Sequence, residues 1–313
     1  MEEKSVEKVD VIIPVYKPDD KFLALIEKLE QQSVPVNRII VMNTEQKYFD
    51  RLIYGTSFQK DHRNITVKHL SKREFDHGRT RNNGVQCSDT EYFIMMTQDA
   101  VPADDNLVEE LLLQLKREKV AVAYARQMAS ENSGEIEKYT RNYNYPDQTM
   151  VKTRSDLDRL GIKTFFCSNV CAAYNRKIFN ELGGFVKHTI FNEDMLYAAK
   201  AVEAGYGIAY AAGARVYHSH NYSNVEQFHR NFDLGVSQAE HPEVFAAYPS
   251  ESEGIRYVRQ LISHLRQSGH RRQIPRVVVQ SGFKYIGYLL GKHYRSLPGR
   301  LVVRLSDSKE YWS

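Results

Sequence analysis

Residues 9–42 read VDVIIPVYKPDDKFLALIEKLEQQSVPVNRIIVM, and this stretch decides the fold class. Residues 9–15 form a β-branched apolar run, which is typical of a strand buried on both faces of a parallel sheet. Asp19 and Asp20 follow as helix caps, and apolar residues then recur at helical spacing. Residues 38–42 form a second buried strand. The stretch therefore predicts a right-handed β-α-β unit and an α/β fold.

The pattern continues along the chain and predicts where ligands bind. Further strands are expected at residues 65–69, 92–96, 120–126 and 207–210, and a helix at residues 106–119. Residues 130–158 are polar and Tyr-rich and predict an irregular excursion, with acceptor binding as a hypothesis for it. In open parallel sheets ligands bind at the carboxyl edge. We therefore expect one crevice that gathers Tyr16, Asn43, residues 76–81 and residues 97–99.

The net charge of +4 is distributed unevenly over the 313 residues. Residues 256–304 contain eleven Lys and Arg and no Asp or Glu, so the rest of the chain carries a net charge of −7. We expect an α/β domain at residues 1–225 and a helical basic extension at residues 226–313. No nucleic-acid recognition motif accompanies the basic residues, so no nucleic-acid partner is expected.

The basic extension has a composition that fits a membrane surface. The helix face expected to be apolar comprises Val277, Val278, Phe283, Ile286, Leu289 and Leu290. The cations expected near anionic head groups are Arg276, Lys284, Lys292 and Arg295. The alternative is that this face packs against the α/β domain or against a second subunit in a homodimer.

Several features indicate a cytoplasmic protein. The charged N-terminus contains no apolar signal-peptide core, and no stretch approaches the roughly 20 apolar residues of a membrane span. Cys87, Cys167 and Cys171 lack a second Cys/His pair for zinc and predict free thiols in a reducing compartment. Lipid binding by the basic extension would make the protein peripheral on the inner face of the plasma membrane. A dinucleotide-dependent dehydrogenase is excluded, because no GxGxxG follows the first strand.

Five short motifs follow one another along the chain. They are VIIPVYK at residues 11–17, RTRNNG at 79–84, TQDAVP at 97–102, GGF at 183–185 and NED at 192–194. Together they resemble the family-2 glycosyltransferases, inverting enzymes with a GT-A fold, over roughly residues 9–225. FDHGRTRN, QDA and HSHNY further resemble the rhamnosyltransferase branch, which uses dTDP-L-rhamnose.

The resemblance implies transfer of a sugar, L-rhamnose as the first choice, from a nucleotide diphosphate carrier. The implied acceptor is a saccharide or a polyprenyl-linked glycan of a surface polysaccharide. The alternative is a catalytically inactive nucleotide-sugar-binding or scaffold protein of the same fold, which the departures at Thr97 and Asn43 favour. Retention of Asp194 beside Asp99 argues against that alternative, since binding alone needs no base.

The implied metal site centres on Asp99, which matches the last Asp of the family's DxD motif. A divalent cation, Mg²⁺ or Mn²⁺, neutralises a diphosphate leaving group as the glycosidic bond breaks. Thr97 replaces the first Asp and leaves more of the coordination to diphosphate, water and either His218 or His220. The two histidines flank one residue of an expected strand and point to opposite faces, so one of them, with His218 favoured, is expected to reach the metal.

The implied general base is Asp194, which matches the Asp of the family's ED motif, and Glu193 is its orienting neighbour. In an inverting single displacement one carboxylate suffices, because the acceptor hydroxyl attacks opposite the diphosphate and no covalent intermediate forms. The structural alternative is that the two acids only favour the positive end of a helix dipole.

The remaining site residues are implied to bind the nucleotide sugar. They are Pro14, Tyr16, Asn43, Asp76, Gly78, Arg79, Arg81, Gln98 and Asp99. Arg79 and Arg81 offer planar forks for phosphate oxygens, and Gly78 permits close backbone approach. For Asp76 and Arg79 a solvated loop remains the alternative. Gln227 and Arg230 are spaced as in the QxxRW motif of processive members, but the Trp is missing.

Overall fold

The computed structural model describes residues 8–219, 222–249 and 251–312. Within these ranges nine strands form one sheet. They are β1 (Val9–Tyr16), β2 (Val36–Thr44), β3 (Ile65–Leu70), β4 (Tyr92–Met96), β5 (Val101–Pro102), β6 (Val120–Met128), β7 (Met150–Lys152), β8 (Cys171–Asn175) and β9 (Gly207–Tyr217).

The strand order is β3-β2-β1-β4-β8-β6-β9-β5, and β7 pairs with β9. The first four strands of this order are parallel, as the β-α-β pattern predicts. β8 then runs antiparallel to both β4 and β6, while β6 and β9 are parallel. The α/β fold class is therefore confirmed, with a mixed second half of the sheet.

Helices cover both faces of the sheet and continue beyond it. They are α1 (Asp20–Glu30), α2 (Gln46–Ile53), α3 (Phe58–Asp61), α4 (His77–Gln86), α5 (Leu107–Leu115), α6 (Glu135–Asn144), α7 (Leu157–Leu160), α8 (Arg176–Glu181), α9 (Glu193–Glu203), α10 (Asn224–Glu240), α11 (Pro242–Phe245), α12 (Glu251–Gln267), α13 (Ile274–Lys292) and α14 (Gly299–Leu305).

Two apolar cores lie on opposite faces of the sheet. Val11 and Ile13 face the layer formed by α1 and α5, while Ile12 between them faces the layer of α4 and α9. This alternation is the period-2 geometry of a strand. Because both faces are covered, the parallel strands are apolar throughout and leave polar side chains for their carboxyl ends.

The helical extension packs tightly on itself and on the α/β domain. α10 and α13 approach at glycines, and a Cβ added at Gly291 would lie 2.0 Å from the Phe232 carbonyl oxygen. α12 packs on α6, where the Thr140 and Tyr257 hydroxyls are hydrogen-bonded. No helix of the described ranges combines the length and apolar character needed to cross a bilayer.

Several sequence expectations need correction. Residues 130–158 are not irregular throughout, since they contain α6 and β7. β9 extends to Tyr217, well beyond residue 210, because it pairs along its length with β6 and also with β5 and β7. In the expected apolar face of α13, Val277 is buried against Leu261 and Leu265 of α12.

Candidate active site

The two acids of the ED motif begin helix α9. The residue before them, Asn192, has φ +63° and ψ +22°, a left-handed conformation that is uncommon outside glycine. Its amide donates to Ser237 Oγ (3.0 Å), and Ser237 in turn donates to the Phe191 carbonyl (2.9 Å). Ser237 belongs to α10, so the helical extension fixes the turn that presents both acids.

Asp194 is held by main-chain groups. Its Oδ2 accepts the Asn169 N–H (2.9 Å), and its Oδ1 accepts the Met195 N–H (2.8 Å). Burial and the neighbouring charge of Glu193 raise the pKa of Asp194 to about 7. A carboxyl with a pKa near the working pH is suited to accept a proton during catalysis.

Glu193 is buried and paired. Its Oε1 lies 3.2 Å from Arg81 Nε and accepts from Asn169 Nδ2 (3.0 Å). Burial acts to raise the pKa of Glu193, but the charges of Arg81 and His77 and the Asn169 hydrogen bond outweigh it and hold the pKa below its ordinary value. The pair therefore combines an ionised Glu193 with a more basic Asp194.

Asn169 is a site residue that the sequence motifs miss. It contacts Glu193 through its side chain and Asp194 through its backbone. The Tyr174 hydroxyl donates to Asn169 Oδ1 (2.6 Å), which directs the amide nitrogen toward Glu193. The signal available in the sequence was the polar pair Ser168 and Asn169 before β8, but its partner lies 24 residues further on.

Asp99 and His218 face one another at the carboxyl edge of the sheet, with Asp99 Oδ1 3.6 Å from His218 Nε2. The Gln127 amide donates to Ser168 Oγ, and its oxygen accepts from Arg141. That oxygen also lies 2.9 Å from His218 Nδ1, so Nδ1 is the donor there. In the neutral tautomer the Nε2 lone pair then faces the Asp99 carboxylate, which is an arrangement that suits a cation.

The described residues contain no group of three or more His, Cys, Asp or Glu that could hold a metal. Within the described part of the chain, Asp99 and His218 supply two donors to such a site. Thr97 occupies the position of the first Asp in the DxD motif, and its hydroxyl is buried. His220, the other histidine of the sequence hypothesis, lies outside the described residues.

A cavity of about 720 Å³ lies at the start of α4. It is lined by the ends of β1 and β2 (Tyr16, Lys17, Thr44), by the 72–79 segment, by residues 188–190 and by the C-terminal residues 307–311. Its size is that of a small-ligand site. Among its described lining residues are four cations, Lys17, Lys72, Arg73 and Arg79, and three acids, Asp76, Asp307 and Glu310, so Lys and Arg outnumber the acids there. We call it the donor cavity.

Tyr16 lines the donor cavity as the sequence predicts, and Gln98 serves to hold it. The Tyr16 N–H donates to Gln98 Oε1 (2.8 Å), and Gln98 Nε2 donates to the Tyr16 carbonyl (3.0 Å). These reciprocal bonds tie the ends of β1 and β4 together. Pro14 precedes them within β1, paired with Met42 of β2.

Three other predicted nucleotide ligands make contacts within the protein. Asn43 is fully buried, and its amide faces His69 Nδ1 (2.9 Å), while Thr44 reaches the cavity instead. The Asp76 carboxylate caps α4 by accepting from Gly78 and Arg79 N–H groups. Gly78 is required because a Cβ there would lie 1.7 Å from the Val186 carbonyl oxygen. These positions support the walls of the site.

Arg230 reaches the site despite the missing Trp of its motif. Its guanidinium lies 4.6 Å from the ring centre of Tyr222 and 5.7 Å from that of Phe191. The Phe191 ring also contacts His77, with ring centres 6.2 Å apart. A cation of the extension therefore lies against Phe191, which also contacts the first residue of α4.

Comparison with known proteins identifies the family to which this chain belongs. The model of the family "Glycosyl transferase family 2" matches residues 10–183. O-antigen chain rhamnosyltransferase RfbN of Salmonella typhimurium is 36% identical over 308 residues, which cover 98% of this chain and 96% of that protein. O-antigen chain rhamnosyltransferase WbaN of Salmonella anatum is 38% identical over 270 residues, 84% of this chain and 85% of that protein.

Solved structures share the fold. The mannosyltransferase PcManGT from Pyrobaculum calidifontis, in complex with GDP-Man and Mn²⁺, has a TM-score of 0.61 at 12% identity over 94% of this chain and 89% of that one. S. aureus TarS 1-349 in complex with UDP-GlcNAc has a TM-score of 0.52 at 14% identity over 92% and 91%. These neighbours confirm the expected GT-A fold. The chain belongs to glycosyl transferase family 2 and is a glycosyltransferase.

Proposed function

We propose that this glycosyltransferase transfers L-rhamnose from dTDP-L-rhamnose to a saccharide or lipid-linked glycan during assembly of a surface polysaccharide such as an O-antigen. The observation that carries the proposal is the 36% and 38% identity to two O-antigen chain rhamnosyltransferases. For the first of them the similarity spans nearly the full chain, so it includes the helical extension that supports Asp194 and the donor cavity.

In this proposal Asp194 removes the proton of the acceptor hydroxyl. The oxygen so activated attacks the anomeric carbon, the bond from that carbon to the diphosphate oxygen breaks, and dTDP leaves with the bonding electrons. Asn169 orients Asp194 through a main-chain N–H, and the negative charge of Glu193 keeps the Asp194 carboxylate basic. Arg81 offsets the Glu193 charge, so its proposed role is support of the base rather than contact with phosphate.

Asp99 and His218 would hold a divalent cation, with diphosphate oxygens and water completing its coordination. The facing carboxylate and imidazole nitrogen fit such an ion as a partial donor set. A bound Mg²⁺ or Mn²⁺ would supply Lewis-acid neutralisation of the leaving diphosphate. The Mn²⁺ of the PcManGT complex supports a metal in this fold.

The metal proposal is tested by calorimetric titration of dTDP with and without Mg²⁺ or Mn²⁺. We expect metal to strengthen binding to the wild type, and Asp99→Ala or EDTA to abolish that gain. Asp105→Ala is the matched control, since it removes an exposed acid from the same connection. Equal dTDP affinity in EDTA and in Mg²⁺ would contradict the proposal. The basic residues would then have to neutralise the charge of the diphosphate.

The donor is tested by incubating the protein with dTDP-L-rhamnose, GDP-mannose or UDP-GlcNAc and measuring release of the nucleoside diphosphate. We expect dTDP-L-rhamnose to be turned over fastest, and addition of lipid-linked glycan to accelerate its consumption. Faster consumption of either other donor would contradict the rhamnose assignment while leaving the family intact.

The exposed side of α13 is proposed as a membrane-surface contact. Val278, Phe283 and Ile286 are 53%, 37% and 54% exposed and lie on one stretch of the helix. Residues 256–304 contain eleven Lys and Arg and no acid, which suits an anionic surface, although Lys292 is paired with Glu251 of α12. Docking there would bring the enzyme to lipid-linked acceptors. A homodimer contact through the same face is the competing outcome.

A further inference from the structure

Residues 306–312, which we name the C-terminal hook, fold back onto the donor cavity. The buried Asp233 of α10 accepts the N–H groups of Asp307 (3.1 Å) and Ser308 (3.2 Å) through its Oδ2. The Tyr311 ring stacks on His188, with ring centres 4.4 Å apart and planes 4° apart. The hook is therefore held against the cavity from two sides.

The hook presents a carboxylate beside a cation and an aromatic ring. Glu310 Oε1 lies 3.2 Å from Lys72 Nζ, and that ammonium lies 5.2 Å from the ring centre of Tyr16. All three side chains line the donor cavity. One hydrogen-bond acceptor and one donor thus stand side by side next to a flat apolar surface. A heterocyclic base with adjacent N–H and C=O groups matches this arrangement.

Few other carboxylates are available to the cavity. β2 contributes none, since Asn43 is buried on His69 and Thr44 offers a hydroxyl. Asp76 lines the cavity, but its oxygens accept from the first turn of α4, from His188 and from the Thr189 N–H. Among the described lining residues, Asp307 and Glu310 remain, and Glu310 is the one paired with Lys72.

We propose that Glu310 is a specificity-determining residue that reads the base of the donor nucleotide. Its carboxylate accepts the N3–H of thymine, Lys72 donates to the adjacent carbonyl oxygen, and Tyr16 packs against the ring. The inference rests on the proposed function, because thymine is the base of dTDP-L-rhamnose. It assigns base recognition to the C-terminal hook, far along the chain from the strands that form the rest of the cavity.

The test compares the affinities of dTDP and of N3-methyl-dTDP, which has the same charge but lacks the N3 proton. Dissociation constants are measured calorimetrically for the full-length wild type, Glu310→Ala and Asp307→Asn. We expect the wild type to bind the methylated ligand roughly tenfold or more weakly, the scale of a hydrogen bond to a charged group. Glu310→Ala should bind both ligands within about twofold of each other. Asp307→Asn should keep the wild-type ratio.

The ratio of the two dissociation constants is insensitive to the general effect of removing a negative charge near a diphosphate, because both ligands carry the same diphosphate. Glu310→Gln, which keeps an acceptor in an exposed side chain, is the second variant and should retain part of the discrimination. Equal binding of the two ligands by the wild type, or an unchanged ratio in Glu310→Ala, would overturn the role of Glu310 and leave the dTDP donor standing. Absence of dTDP binding to the wild type would overturn both proposals.

Discussion

At the scale of single residues, Glu193 and Asp194 are adjacent acids in opposite environments. Glu193 has a cation and an amide donor, whereas Asp194 has two main-chain N–H groups and a negatively charged neighbour. Burial and the charge of Glu193 together raise the pKa of Asp194. The ED motif and the helix start predict where these acids lie, but Asn169 lies before β8, 24 residues away, so the motif does not reveal it.

The pKa of Asp194 gives a prediction for pH dependence. Because Asp194 must be ionised to act as the base, kcat/KM should rise with pH on an acidic limb with a midpoint near 7. Replacing Arg81 by Gln should move the midpoint of this limb to higher pH, since it removes the cation that offsets Glu193 and lowers the pKa of Asp194. Arg51→Gln, which removes an exposed cation of α2 outside the cavity lining, is the control. A limb near pH 4 in the wild type would contradict the assignment.

The same shift predicts a stability change. The folded-state pKa of Asp194 is raised, so the native protein holds this proton more tightly than the unfolded chain, and the charge costs stability as pH rises from about 4 to 7. Asp194→Asn avoids that cost. Its Tm relative to the wild type should therefore be higher at pH 8 than at pH 5, as measured by calorimetry. An equal Tm difference at both pH values would contradict a raised pKa.

At the scale of elements, the sequence predicts the strands and helices whose periodicity is strong. β1, α1 and β2 follow their expected ranges closely because alternation of buried runs and an amphipathic helix is a local property. α6 and the end of β9 were missed, since their stability comes from packing on α12 and pairing with β6 rather than from local pattern. The side-chain contact of Asn43 is also non-local, because its amide lies against His69 of the adjacent β3, and its binding of the nucleotide stays a prediction.

The packing of α10 on α13 gives a prediction at this scale. Gly291→Ala should lower the free energy of unfolding by about 1–3 kcal/mol, because the new methyl group meets the Phe232 carbonyl. Gly282→Ala in the same helix is the matched control. Open space surrounds Gly282, so alanine should raise stability by up to about 1 kcal/mol through helix propensity. Urea denaturation measures both, and equal effects would contradict the close approach.

At the scale of the whole molecule, the extension at residues 226–313 supports the site as well as carrying charge. Ser237 of α10 holds the turn before α9, and Asp233 of α10 holds the C-terminal hook. Composition predicts the basic surface of this region, because charge counts need no knowledge of packing. It does not predict that the last residues line the donor cavity, since that contact joins residues more than 200 positions apart.

The exposed stretch of α13 predicts lipid binding by the intact enzyme. We expect cosedimentation with anionic liposomes at low salt, release at high salt, and weaker binding by Phe283→Ser combined with Ile286→Ser. Val277 is unsuited to this test, because it is buried. Leu113→Ser, an exposed apolar residue on α5, is the control. If the protein stays in the supernatant at both salt concentrations, and if it forms a dimer that the double substitution dissociates, the exposed face of α13 serves self-association instead.

The most direct test of the central claim is transfer of labelled rhamnose from dTDP-L-rhamnose into lipid-linked glycan by the wild type and by Asp194→Asn. The account predicts transfer by the wild type and a loss of roughly 10²-fold or more in the variant, the scale of a general base. The affinity of the variant for dTDP should stay within a few-fold of the wild type, since Asp194 is not among the residues that line the donor cavity. Transfer by Asp194→Asn at the wild-type rate, or no transfer of rhamnose by the wild type, would contradict the account.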